Sequence, residues 1–456
     1  MRNFLTIAVL GLLCGGCAIQ PLRLDDCPKF ASYTYALPDS GIVDDIHGDL
    51  SPPTVTERVG SAPNAAAPDS ARTGLAARIL RQRTQNGLIE SGTPPAILML
   101  SGGGQWGAYG AAFLEQVASR RDGALPPLEL VTGVSTGAMQ AIFAGQAMDG
   151  PERQKALSDL VAEYSITDES QIVKRDDTIG LIRYGAMARL GPLRRKIEDA
   201  LCAGGDANDP CPRISALGSV HGPTVVVGFV DAVDGNFRYV ILNEFAEQMK
   251  AGRLSPHQAQ QCIAASVLAS AAMPLFYQPV VIAKRTYFDG GARASVFEAA
   301  VERLVAPESL VAEAQTKRSP PMGPLLEMAR QLPPRTVYVL RNGPTYPRSL
   351  AYKEVVGGIE AARRAYAIMV NQSEVSSVAA IRLSRPRDDL WLTSADGWDG
   401  KLPPDVSGDG AGSGCVAAND KAMFDPQFMR CLRGLGRLKA SRPHPWHAIE
   451  KIELAP

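Results

Sequence analysis

The apolar positions of this chain fall into short solid runs separated by glycine-rich turns and by stretches of small residues. Ala96-Ile97-Leu98-Met99-Leu100 is apolar throughout, and Leu128-Glu129-Leu130-Val131 nearly so. Runs without polar alternation have no solvent-facing side, which predicts central parallel strands covered on both faces. Each leads through glycines into a helical pattern, Ala108 to Arg121 after the first and Ala138 to Ala147 after the second. Thr224 to Val230 and Phe237 to Leu242 flank Asp234-Gly235, a hairpin signal. Pro256 to Ala272 predicts a helix, broken before Val280-Val281-Ile282. A further strand, Tyr287-Phe288, ends in Asp289-Gly290-Gly291. Asp425 to Ala440 reads as a helix. Repeated strand–glycine–helix units predict an α/β three-layer sandwich with a mostly parallel central sheet.

The ends read differently. Arg2, the apolar run Phe4 to Leu13 and the small pair Gly15-Gly16 form a signal peptide over residues 1–16. The run is too short for a permanent membrane span. Leu13-Cys14-Gly15-Gly16-Cys17 resembles a bacterial lipobox, although Cys14 stands where leucine is preferred. The resemblance implies acylation of Cys17 and, with Ala18 next, a lipid anchor in the outer membrane; an ordinary cleaved signal is the alternative. His47 to Ser70, rich in Pro, Ala and Ser, reads as a tether, and Thr73 to Asn86 as a first helix. The expected organisation is a tether and first helix over 17–90, a catalytic domain over 91–386, and an irregular segment with a packing helix over 387–456.

Composition narrows the function. Lys plus Arg and Asp plus Glu both number 47, so no bulk field draws the chain to nucleic acid. Export permits disulfides. Cys202 and Cys211 bracket a short Gly/Asp/Asn/Pro loop and form the first candidate pair, Cys415 and Cys431 the next; Cys27 and Cys262 are unassigned. Cys-x-x-Cys spacing with partner histidines is missing, so no metal site is expected, and no cofactor.

Gly133-Val134-Ser135-Thr136-Gly137 sits between a predicted strand and a predicted helix, the setting of a nucleophile elbow. Its glycines let backbone pass close to the serine. Ser101-Gly102-Gly103-Gly104 ends the preceding strand, and three consecutive glycines at a helix start make a nest for phosphate or a developing oxyanion. The Gly-x-Gly-x-x-Gly spacing of Gly102 to Gly107 would suit a dinucleotide, but no acidic residue ends a second strand about 20 positions on. With a serine elbow one unit later, the oxyanion reading is favoured. Asp289 before two glycines is either a turn-former or a catalytic carboxylate.

Ser101-Gly102-Gly103-Gly104, Gly133-x-Ser135-x-Gly137, Ala265-Ser266 with Ala271-Ala272-Met273-Pro274 and Phe276, and Asp289-Gly290-Gly291 occur in the order and spacing of the patatin-like phospholipase family, which the chain resembles over about Ala96 to Ala294. The resemblance implies Ser135 as nucleophile, Asp289 as its partner, and Gly102, Gly103 and Gly104 as the oxyanion loop. It implies hydrolysis of fatty-acyl esters of phospholipids or related lipids through a Ser-Asp dyad. Two positions depart from the family pattern: Trp106 replaces a basic residue, and Ala292-Arg293-Ala294-Ser295 replaces an Asn-x-Pro. Phe113, Met139, Phe143 and Phe276 are candidates for an apolar trough, with plain core as the alternative. The basic and apolar mixture from Ser165 to Leu201 reads either as a lid facing lipid headgroups or as ordinary amphipathic helices. Two rival functions stay open. One is a Ser-His-Asp esterase using His444 or His447; the other is a catalytically silent lipid-binding lipoprotein.

Overall fold

The structure, a computed structural model, describes residues 20–36, 78–79, 82, 96–176, 186–296, 336–347, 357–384, 389–398 and 422–450. The strands are β1 (Leu22–Arg23), β2 (Tyr35–Ala36), β3 (Ala96–Leu100), β4 (Leu128–Val134), β5 (Lys174–Arg175), β6 (Ala188–Arg189) and β7 (Thr224–Asp231). They continue with β8 (Phe237–Ile241), β9 (Val280–Ile282), β10 (Arg285–Asp289), β11 (Thr336–Leu340), β12 (Asp389–Thr393) and β13 (His447–Ala448). The α-helices are α1 (Gly107–Ala118), α2 (Thr136–Ala144), α3 (Gly150–Glu163), α4 (Gly191–Cys202) and α5 (Pro212–Leu217). After them come α6 (Leu242–Lys250), α7 (Pro256–Ser270), α8 (Gly358–Ser384) and α9 (Pro426–Ala440).

The main sheet runs β1-β9-β10-β7-β4-β3-β11-β12-β13, with β8 branching from β7 and β2 from β8. Its centre, β7-β4-β3-β11-β12, is parallel at every step. Antiparallel pairs lie outboard, where β10 meets β7 and β9 and where β13 meets β12. All residues of β3 and β4 are buried. Alternate positions feed two cores, as the period of two in a strand demands. Leu98, Leu100 and Val131 join one core with α1, α2 and α7, while Ile97, Met99 and Leu130 join the other with Ile381 of α8. The solid apolar runs therefore mark the centre of a three-layer α/β sandwich. Arg153 of α3 is buried and donates to the carbonyls of Leu125, Pro126 and Met148, pinning the loop that feeds β4.

Both ends of the chain enter the sheet more than the pattern suggested. Residues 20–36 lie inside the expected tether but pair with the sheet: β1 runs parallel to β9, and β2 antiparallel to β8. Phe30 supplies the reason. Its ring is fully buried against Phe229 and Tyr287, with centroids 6.0 and 5.9 Å away. Cys27 bonds Cys262 of α7, and Cys202 bonds Cys211. Cys431 is also disulfide-bonded. At the other end, within the segment expected to be irregular, β12 is a parallel neighbour of β11, in register from Thr336↔Asp389 to Leu340↔Thr393. The signal peptide with Cys17, the stretch 47–70 and Cys415 lie outside the described residues.

Helix α9 lies along α1 at close range. A Cβ on Gly436 would stand 2.3 Å from the Tyr109 carbonyl oxygen and 2.9 Å from the Phe113 nitrogen. Gly436→Val is therefore expected to destabilise the protein by about 1–3 kcal/mol. Urea unfolding should show a lower midpoint at unchanged slope.

Candidate active site

Strand register brings Ser135 and Asp289 to one level. Val134, the last residue of β4, pairs with Gly228 of β7. Asp289, the last residue of β10, pairs with Phe229 on the other side of β7. Ser135 follows Val134, so the two residues flank β7 across two strand spacings, about 9.6 Å of backbone separation. Their side chains point into that gap, and the Ser135 hydroxyl lies close enough to the Asp289 carboxylate to lower its pKa. Nothing bulky intrudes, because a Cβ on Gly290 would meet the Gly228 carbonyl at 2.8 Å and Val134 Cγ1 at 2.9 Å.

Ser135 has φ 54° and ψ −122°, a conformation that L-residues rarely adopt. It persists because the surroundings leave no alternative. A Cβ on Gly133 would be 2.2 Å from the Gly137 carbonyl oxygen, so the chain folds back on itself only where both side chains are absent. The Ser135 N–H donates to Ser270 Oγ at 2.8 Å, and Ser270 Oγ donates to the Gly228 carbonyl at 2.6 Å. Ser270 thus ties the elbow to β7. The family resemblance drew attention to Ser266 instead, but that hydroxyl bonds back to Cys262 O within α7. The pertinent signal is a serine at the end of the helix rather than within it.

Asp289 is 5% exposed. Its carboxylate accepts the Gly291 N–H at 2.7 Å, and the nearby Ser135 hydroxyl also favours the ionised form. Burial pushes the carboxyl up from 3.8 to about 6, outweighing the lowering effect of those two groups.

The glycine loop lies directly beside the serine. A Cβ on Gly102 would stand 3.3 Å from Ser135 Cβ. Gly103 has φ 151°, and a Cβ there would collide with the Asn342 carbonyl oxygen at 1.8 Å. Among the described residues, no group accepts from the N–H of Gly102, Gly103 or Gly104. A buried polar cluster holds the loop from behind. The Ser101 hydroxyl accepts the Asn342 N–H at 2.9 Å and donates to Gly102 O at 2.8 Å. The amides of Asn342 and Gln140 donate to each other at 2.9 Å. Neither amide carried any signal in the sequence, since a lone Asn or Gln inside an apolar pattern has many structural uses.

Residues 98–301 match the family model described as Patatin-like phospholipase. Over those residues the chain is similar to that family. No curated protein matches the chain in sequence. Among solved structures it is similar to VipD from Legionella pneumophila, at 13% identity and a TM-score of 0.29 over 78% of this chain and 68% of that one. That likeness is too distant to bear on the site.

A largely apolar pocket opens at Ser135. Met139, Val173, Leu193 and Val267 line it, and Lys196 and Glu163 form a 2.7 Å ion pair in its wall. Of the four trough candidates only Met139 lines this pocket. Phe113 and Phe143 are fully buried core, and the Phe276 ring faces Tyr366. The 165–201 segment borders the pocket through Ile172, Val173, Leu190, Leu193 and Lys196; residues 177–185, central to the lid reading, lie outside the described residues. Where the family pattern has a basic residue, Trp106 stands edge-on to Phe428 of α9 at 5.1 Å. Where it has Asn-x-Pro, Ser295 is buried, with its Oγ 3.4 Å from the Cβ position of Gly102.

The described histidines stand away from this centre. His221 precedes β7 at the end opposite Phe229, and His257 opens α7, whose far end carries Ser270. His447 pairs with Leu392 on β13, four strands from β4, about 19 Å across the sheet. His444 is exposed just before that strand.

A carboxyl held near 6 in the fold and near 3.8 when unfolded binds its proton more tightly in the folded state. The resulting stabilisation is complete below about pH 4 and is lost as pH rises through about 6. At about pH 8 the ionised group therefore weighs against folding, by on the order of 2–3 kcal/mol. Asp289→Asn should unfold at higher urea than the parent at about pH 8, with the difference closing near about pH 4.

Proposed function

We propose that this protein is a serine acyl hydrolase that cleaves fatty-acyl esters of phospholipids or related lipids. Ser135 is the nucleophile, Asp289 its direct base, and the Gly102–Gly104 loop the oxyanion site. The observation that carries this reading is the register that sets Ser135 and a buried Asp289 on either side of β7, with Ser135 opening onto an apolar pocket. The similarity to the patatin-like phospholipase family over 98–301 supports a lipid substrate.

In the first half-reaction Ser135 Oγ attacks the ester carbonyl carbon while its proton passes to Asp289. The carbonyl oxygen becomes an oxyanion facing the glycine N–H donors, each worth about 3–4 kcal/mol in the transition state. The intermediate collapses, the C–O bond to the alcohol breaks, and Asp289 returns the proton to the leaving oxygen. Water then attacks the acyl-enzyme, gives its proton to Asp289, and releases the fatty acid as Ser135 is reprotonated. An ordinary carboxylate is a weak base for a serine hydroxyl. Burial is what makes Asp289 stronger, yet at about 6 it remains mostly ionised at neutral pH. Elbow strain, the Ser270 tie and the Asn342–Gln140 cluster keep the partners in place between steps.

The pH profile tests the assignment. kcat/KM on a short soluble ester should rise with pH through about 6 and then level, because Asp289 must be ionised to take the serine proton. Ser135→Ala and Asp289→Asn should each reduce kcat by at least about 1000-fold, whereas a His444→Ala/His447→Ala double variant should turn over at the parental rate. Loss of turnover in the double variant would favour the Ser-His-Asp esterase. A folded parent whose Ser135 takes no fluorophosphonate label would favour a silent lipid-binding protein.

The same proposal places the chain outside the cytoplasm, acylated on Cys17 and tethered to the outer membrane. The Cys27–Cys262 and Cys202–Cys211 bonds are in keeping with an oxidising compartment. Cys17→Ser should move the protein from the membrane pellet to the soluble fraction of an expressing bacterium. An unchanged pellet fraction would sink the anchor.

A further inference from the structure

We propose that Phe424 and Met429, from the segment entering α9 and its first turns, set the length of acyl chain that the Ser135 pocket accepts. This inference rests on the acyl-hydrolase reading above and adds to it a specificity element from outside the family-matched segment. Among the described residues that line the pocket, only these two lie beyond residue 301. Every other lining residue belongs to the segment that also builds the elbow and the glycine loop.

The wall they form is fixed to the frame of the reacting atoms. Glu169 Oε1 accepts the N–H groups of Met423 and Phe424 at 2.6 and 3.0 Å. The Asp425 N–H donates to Gln105 Oε1 at 2.9 Å, one residue past the triple glycine. Asp425 in turn caps α9 by accepting from Gln427 N and Phe428 N, and Phe428 packs on Trp106. Further along, Arg433 Nη1 donates to the Tyr164 carbonyl at 2.8 Å, and the Tyr164 hydroxyl bonds Thr136, the neighbour of Ser135. Contacts run from this segment both to the oxyanion loop and to the elbow helix, so the wall cannot drift relative to Ser135 without breaking them.

Chain length is the property such a wall can read. Phe424 and Met429 are buried and offer no donor or charge to a headgroup. An apolar wall at a fixed distance from the ester carbon discriminates by methylenes, since each one added or removed is felt as burial or clash. The phenyl ring is a stiff stop, while the methionine thioether adapts to what lies against it.

The test is kcat/KM on p-nitrophenyl butyrate, octanoate, dodecanoate and hexadecanoate for the full chain and for Phe424→Ala, Phe424→Trp and Met429→Ala. Each variant is normalised to its own butyrate value, so a general loss of folded enzyme cancels. The alanine variants should move the optimum to longer chains, with the long-to-short ratio changing by about tenfold, and Phe424→Trp should move it the other way by a similar factor. Ratios that stay parental in all three variants would overturn the proposal, leaving both residues as plain core. A parent that hydrolyses none of the four esters, and whose Ser135 takes no fluorophosphonate, would instead remove the acyl-hydrolase reading itself.

Discussion

The site depends on keeping one carboxylate out of water without neutralising it. Asp289 is buried at the end of β10 with a glycine amide donating to it and a serine hydroxyl nearby, and no cation among the groups that set its acidity. An adjacent Lys or Arg would stabilise the ionised form further and weaken it as a base. Burial without any donor would protonate it at neutral pH. The balance reached, about 6, lies between those limits. It requires close packing by small groups, and the residues around it supply that: Gly228 from β7, Gly290 and Gly291 from the turn after β10, and Ala272, whose carbonyl accepts the Asp289 N–H.

Around this strained centre the polar supports are placed behind the reacting groups, and the apolar surface in front. Ser101, Gln140 and Asn342 form a buried and mutually satisfied cluster under the glycine loop. Ser270 does the corresponding work under the elbow. In a low-dielectric interior such fully paired groups resist rearrangement, because breaking one bond strands two buried polar atoms. The loop amides that these supports leave unpaired face no such penalty if a substrate oxygen meets them. In front lies a largely apolar pocket, lined among others by Met139, Val173, Leu193 and Val267.

The C-terminal segment is part of this arrangement rather than an appendage. Strand β12 extends the parallel sheet, and α9 is packed on α1 closely enough that only glycine fits at position 436. Lys439, buried on the same helix, donates to the Ser394 carbonyl just after β12 at 2.7 Å and so locks helix to sheet. At its N-terminal end the helix meets Trp106, which occupies the place of a basic residue in the family pattern. An aromatic contact with the closing helix stands there instead of a charge.

Local sequence determined the strand–glycine–helix units, because solid apolar runs and consecutive glycines are each dictated by neighbours along the chain. It also singled out Ser135, Asp289 and Gly102 to Gly104, on which the proposed chemistry rests, since motif spacing is itself local information. What it left open was everything set by distance through space. The approach of Ser135 to Asp289 depends on strand order and register across β7, which pairwise periodicity does not encode. Phe113 and Phe143 look no different in sequence from Met139, yet only the methionine faces the pocket, because the angle at which helices cross decides which side chain reaches a cavity. The partners of Cys27 and Cys262, the tie through Ser270 and the wall contributed by Phe424 and Met429 were likewise invisible, for the same reason. Each is a contact between segments far apart in the chain, chosen by packing once the sheet has formed.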